Sequence, residues 1–89
     1  MIREVVIDIE TKKSFEDVGG HEHVDKLGVS VAGAYFYEDN SYHAFEEHEM
    51  PLFEERLGRC DRIIGFNINH FDIPVLLPYF HGEWINEIP

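Results

Sequence analysis

The sequence predicts a single small α/β domain: three strands in an antiparallel meander, a helix, a fourth strand parallel to the first, and a closing helix. Three stretches carry that expectation. "REVVIDIE" near the start has the β-branched density of a buried strand. "LGVSVAGAYFY" alternates residue by residue as a longer one. "IIGFNINHFDIPVLLPYF" (63–80) is a short apolar strand, a polar break and a second apolar run.

The elements follow in order. After the first strand, "TKKSFEDVGGHEHVDK" is polar with a Gly-Gly pair and reads as a loop or excursion. In the second strand Gly28, Ser30, Ala32 and Ala34 alternate with Leu27, Val29, Val31 and Tyr35, so one face is built of small residues. "EDN" makes a hairpin turn into the strand "SYHAF". "MPLFEERLGRC" is helical, with Pro51 suited to a first turn and Leu52, Phe53, Leu57 and Cys60 placed to share one face. "RIIGFN" is a strand again. "FDIPVLLPYF" is a short helix that tolerates Pro74 in its first turn and stops near Pro78. A helical crossover is right-handed and sets the fourth strand beside the first. Both "DIE" and "NINHFD" then lie at the C-terminal ends of neighbouring strands, where ligands bind in such sheets.

Eighty-nine residues allow one domain, residues 1–89, with little interior to spare. One cysteine, Cys60, excludes an internal disulfide framework and reads as a reduced, buried thiol. No apolar run approaches the roughly 20 residues that span a bilayer. The start Met1-Ile2-Arg3-Glu4 enters a strand-like run without a signal-peptide pattern, so the expectation is a cytoplasmic protein with no membrane partner. Eighteen acidic against seven basic residues give a formal net charge of −11. That sign is wrong for gripping a phosphate backbone with lysine and arginine, so any nucleic acid must be held through metal ions or another polypeptide. Most of these carboxylates read as ordinary solubilising surface.

Asp8 and Glu10 stand one residue apart on a strand and project from the same face. Two close carboxylates repel, and a hard divalent cation, Mg²⁺ or Mn²⁺, removes the conflict. Asp72, at the start of the helix after the neighbouring strand, adds a third; taken alone it reads as a helix-start residue complementing the dipole. Six histidines offer another set. His21-x-His23, with His43 or Asp25, could bind zinc, but no thiolate pair supports it and exposed loop histidines are the better reading. Lys12 and Lys13 read equally as phosphate-steering residues and as plain surface lysines.

These residues resemble a known family. "VVIDIET" looks like the first motif of the DEDD 3′–5′ exonuclease superfamily, which is built on the ribonuclease H-like fold. "IIGFNINHFDIPVL" looks like its second motif, which also occurs in the proofreading domains of B-family DNA polymerases. The loop and long strand look closer to small stand-alone or helicase-associated members. The resemblance implies that Asp8, Glu10 and Asp72 are catalytic and position two Mg²⁺ or Mn²⁺ ions: Asp8 bridging them, Glu10 contacting one metal and the terminal nucleotide, and Asp72 acting through the second metal's water shell. It places Thr11, Asn67 and Phe71 at the substrate pocket, Phe71 mainly as a packing residue. It also implies single-stranded DNA or RNA 3′ ends as substrate, and a helicase or polymerase as partner.

The family has a fourth aspartate on a later helix, with a tyrosine or histidine that orients the attacking water. After Asp72 this sequence holds only Glu83 and Glu87 as acids, and neither His70 nor His81 occupies the orienting position. The chain therefore reads as the N-terminal part of a ribonuclease H-like domain lacking the last strand and helix, with an incomplete active site. The expectations are little turnover by these residues alone and completion by the missing C-terminal segment. A homo-oligomer is also expected, formed through the fourth-strand edge or an exchanged segment around "WINEIP", with a sheet face carrying Val6 or Val5 uncovered. The alternative is a catalytically silent interaction module that keeps the fold.

Overall fold

The structure, a computed structural model, describes residues 2–82 and 84–87. Its sheet has four strands in the order β3-β2-β1-β4: β1 (Glu4–Thr11), β2 (Val29–Phe36), β3 (Ser41–Glu46) and β4 (Arg62–Ile64). β1 pairs antiparallel with β2, β2 antiparallel with β3, and β4 parallel with β1. Helix α1 (Met50–Leu57) makes the crossover, and α2 (Asp72–Leu76) follows β4. This is the expected mixed sheet, compatible with a partial ribonuclease H-like fold.

β1 shows why it takes the centre. Val5, Ile7 and Ile9 are buried on one face, while Asp8 and Glu10 are exposed on the other. Alternation along a strand turns one set into core and its neighbours to the opposite side. Val5 is fully buried, so of the two valines it is Val6 that belongs to the open face. Across that face Ile64, Val6, Tyr35 and Tyr42 stand in register, with Tyr42 67% exposed and its hydroxyl resting over Gly33.

β2 departs from simple alternation. Glu10 faces Val31 but Thr11 faces Val29, which leaves Ser30 as the extra residue of a β-bulge. The bulge resets the parity: Leu27 and Val29 are buried before it, and Ala32, Ala34 and Phe36 after it. The small residues therefore do not form one continuous face.

The crossover corrects a second expectation. Met50, Phe53 and Leu57 form the buried stripe of α1, and Leu52 is 49% exposed. Positions i, i+3 and i+7 share a helical face, and Leu52 lies off that line. Cys60 is half-buried beyond the helix end, where burial pushes its thiol upward from the usual range. α1 is entered through a turn (Glu47–Glu49) held by a reciprocal capping box of Glu46 and Glu49.

The excursion after β1 holds two 3₁₀ turns, Glu16–Val18 and His21–Lys26. Gly19 and Gly20 sit between them at φ 91° and 125°, backbone that a side chain would strain. β4 is three residues long, shorter than "RIIGFN" suggested, because the chain turns at Gly65. Ile73, Val75 and Leu76 of α2 join the same core as Val5 and Phe53. A 3₁₀ turn containing Pro78 follows, as expected of a residue that cannot continue the helix.

The last described segment, Trp84–Glu87, is a 3₁₀ turn packed on the core. Ile85 is fully buried, Trp84 stacks on Phe80 at 5.8 Å, and the indole N–H donates to Glu54 at 2.9 Å. The end of "WINEIP", Ile88 and Pro89, lies outside the described residues, as does Glu83. Among the described residues no helix is long and apolar enough to cross a membrane.

Candidate active site

β4 pairs with β1 only as far as Val6, so Asp8 lies just past the last rung of the parallel pair. The chain leaving β4 then runs over that end of β1. Gly65 makes this approach, since a Cβ there would meet the Ile68 side chain and lie 3.1 Å from the Ile7 carbonyl oxygen. Asn67 takes the left-handed φ of 55°, which asparagine tolerates better than most residues. Its carbonyl accepts the N–H groups of His70 at 3.2 Å and Phe71 at 3.1 Å. This tight turn brings Asp72 in as the first residue of α2. Gly65→Ala should therefore cost about 1–3 kcal/mol through overpacking, read as a lower urea midpoint. A midpoint equal to wild type would mean the turn does not press on β1.

A pocket of about 510 Å³ opens here, lined by Asp8, Asp72, Gly65, Phe66, Asn67 and Phe71 among others. Asp72 is only 6% exposed. Burial, and next the Asp8 charge, raise its carboxyl from 3.8 to about 6, while backbone N–H groups of Ile9 and Asp72 pull the other way. None of the ion pairs among the described residues involves Asp8, Glu10 or Asp72. The result is a buried carboxyl group beside an exposed second acid, in a pocket whose lining holds no cationic side chain. That is a donor set a hard cation would relieve.

The expected residues do not all gather there. Asp8, Asp72, Asn67 and Phe71 line the pocket; Glu10, on the same strand face as Asp8, and Thr11 do not. Thr11 sits at the bulge and donates its hydroxyl to the Lys13 carbonyl at 3.0 Å. Phe71 is half-buried, its ring edge-on to Phe15 at 6.1 Å, so it both packs and lines. Lys12 is not free to steer phosphate, because its ammonium pairs with Glu47 at 2.9 Å. Glu47 also accepts the Tyr79 hydroxyl at 2.6 Å, and that oxygen accepts the Val29 N–H at 3.0 Å. No sequence spacing signals this tie between residues so far apart.

Among the described residues the histidine alternative finds no assembled ligand set. His43 packs between the rings of Phe36 and Phe45 and bonds to Ser41 at 3.0 Å. His23 lies near Glu22, and the His21 side chain lies outside what the structure describes. Among the described residues, the three potential ligands whose donor atoms all lie within 4.8 Å of one another are Glu46, His48 and Glu49. Two of these are the capping box of the turn before α1, which accounts for their closeness.

No protein-family model matches the chain, and no curated protein matches it in sequence. Among solved structures it is similar to the family B DNA polymerase from the hyperthermophilic archaeon Pyrobaculum calidifontis, with a TM-score of 0.63 and 22% identity. The likeness covers 85% of this chain and 10% of the polymerase, so the chain spans about a tenth of that protein's length. At this identity what is shared is the fold: the chain is a mixed α/β unit of the kind found within that polymerase.

Proposed function

We propose that this chain carries the metal-binding part of a 3′–5′ exonuclease-type site acting on single-stranded DNA or RNA ends. The observation that supports the reading best is buried Asp72 beside Asp8 in an open pocket, just past the parallel pairing of β1 and β4. The motifs around both aspartates and the fold shared with a B-family polymerase agree with it. Asp8 and Asp72 would hold Mg²⁺ or Mn²⁺, with Glu10 reaching in from the same strand face. Bound divalent metal supplies a polarised phosphate and an activated water. The chain's own contribution is to present two carboxylates whose repulsion favours a cation, to bring Asp72 in on the turn after β4, and to wall the pocket with Phe71. With a net charge of −11, the chain depends on such ions to attract a phosphate at all.

One observation favours the alternative of a silent interaction module: Glu10 stands outside the pocket lining. Mn²⁺ titration followed by NMR line broadening separates the readings. Amides at Asp8 and Asp72 should broaden first, Glu10 next, and Asp8→Ala should abolish the effect. Broadening centred on Glu46, His48 and Glu49, or on His21 and His23, would refute the assignment.

A further inference from the structure

A small antiparallel meander keeps one face of its sheet on the core and gives the other to water, where polar residues are the rule. Here the second face is apolar through its middle. Along the open side of β2 stand Val31, Gly33 and Tyr35, and Tyr37 follows with its ring edge-on to Tyr35 at 5.0 Å. Tyr35 is held further by its hydroxyl, which donates to Asn40 at 3.2 Å. Tyr42 lies over Gly33, where no side chain competes for the space. Of the six large apolar side chains exposed among the described residues, Tyr37, Tyr42 and Ile64 all fall on this face. Such concentration marks an interaction surface.

We infer that the open face of the sheet is a docking site for an amphipathic helix of another protein, its apolar stripe laid along β2 and its flanks carrying lysine or arginine. The dimensions suit one helix. From Tyr37 to Val31 the track runs about 20 Å at strand spacing, the length of about 13 helical residues. Charge decides the occupant. Glu10 and Glu46 stand on either side of Val31, both exposed, and Asp8 is next along β1. None of the three takes part in an ion pair among the described residues. Arg62, the cation of this face, is neutralised by Glu4 at 2.8 Å. A second copy would set these acids against their own kind on a chain of net charge −11, and a nucleic acid would be repelled. Cationic flanks on an apolar stripe meet both features at once. The inference is independent of the metal reading and holds with or without an ion in the pocket.

The test uses the full chain, free of metal, and a synthetic helical peptide of about 14 residues, with a leucine stripe flanked by lysines. Amides of Val31, Gly33, Tyr35 and Tyr42 should shift on binding, and those of α1 should not. Affinity should fall severalfold as salt rises from about 0.05 to about 0.5 M. Tyr42→Ser should weaken binding about tenfold, as loss of an aromatic anchor does, with an otherwise unchanged spectrum showing an intact fold. Tyr42→Phe should retain binding, and Glu46→Gln should weaken it by a smaller factor. A peptide of the same composition with its stripe scrambled should bind about tenfold more weakly, since charge alone does not fill the apolar track. Equal binding by the scrambled peptide, or by one with glutamate in place of lysine, overturns the inference. So does failure of the striped peptide to bind, or shifts centred away from this face. A wild-type dimer in sedimentation that Tyr42→Ser turns into a monomer overturns the helix as occupant in favour of a second copy.

Discussion

Asp72→Asn should make the protein more stable at neutral pH, by about 2–3 kcal/mol, and leave it unchanged below about pH 4. Asp72 is buried beside Asp8, and its carboxyl is raised from 3.8 to about 6. Between those values the folded chain keeps a proton that the unfolded chain has released. The native state then binds more protons than the unfolded one, so this group's contribution falls as pH rises from about 4 through about 6. Other carboxylates act in the opposite sense: Asp17, Asp39 and Asp61 are lowered by hydrogen bonds and favour the fold as pH rises. The difference between wild type and Asp72→Asn isolates the buried group. Urea melts across this range should show the two curves converging in acid and separating toward neutrality. Curves parallel at all pH values would mean that Asp72 titrates as an ordinary exposed acid. Saturating Mn²⁺ should close the gap from the wild-type side, because metal binding requires the deprotonated carboxylate and stabilises the state that holds it.

Phe53→Ala should cost about 3–5 kcal/mol, the range for removing a buried aromatic and leaving a cavity. Phe53 is fully buried, packs on Phe45 at 4.9 Å and meets Phe80 at 6.3 Å, so it joins α1 to β3 and to the C-terminal segment. A domain of this length has a total stability of roughly 5–13 kcal/mol, so the loss is a large share of the whole. Leu52→Ala, one position earlier but 49% exposed, should cost under about 1 kcal/mol. Two chemically similar truncations on adjacent residues should therefore give very different urea midpoints. Equal losses would mean that α1 is rotated from the face described.

How far the sequence could be read depended on the range of the interactions involved. Alternation in "VVIDIET" was enough to set Ile7 and Ile9 against Asp8 and Glu10, because strand geometry is local. The position of Asp72 at the start of α2 was equally legible, since Pro74 and Pro78 bound the helix by backbone chemistry alone. The face of α1 was harder: Leu52 and Phe53 are both apolar, and only the position of the sheet decides which is covered.

The chain's order of elements, its acidity and the pairing of two aspartate motifs belong to the sequence itself, because propensity, periodicity and charge act within a few residues. Tertiary structure alone decided the rest. The bulge at Ser30 sends Leu27 and Val29 inward, since register depends on the partner strand. Glu47 takes up both Lys12 and Tyr79, since an ion pair across 35 residues forms only when the chain folds back. Phe66 stands outside while Ile68 goes in, because Gly65 brings the turn against β1 and leaves room beneath it for one apolar side chain.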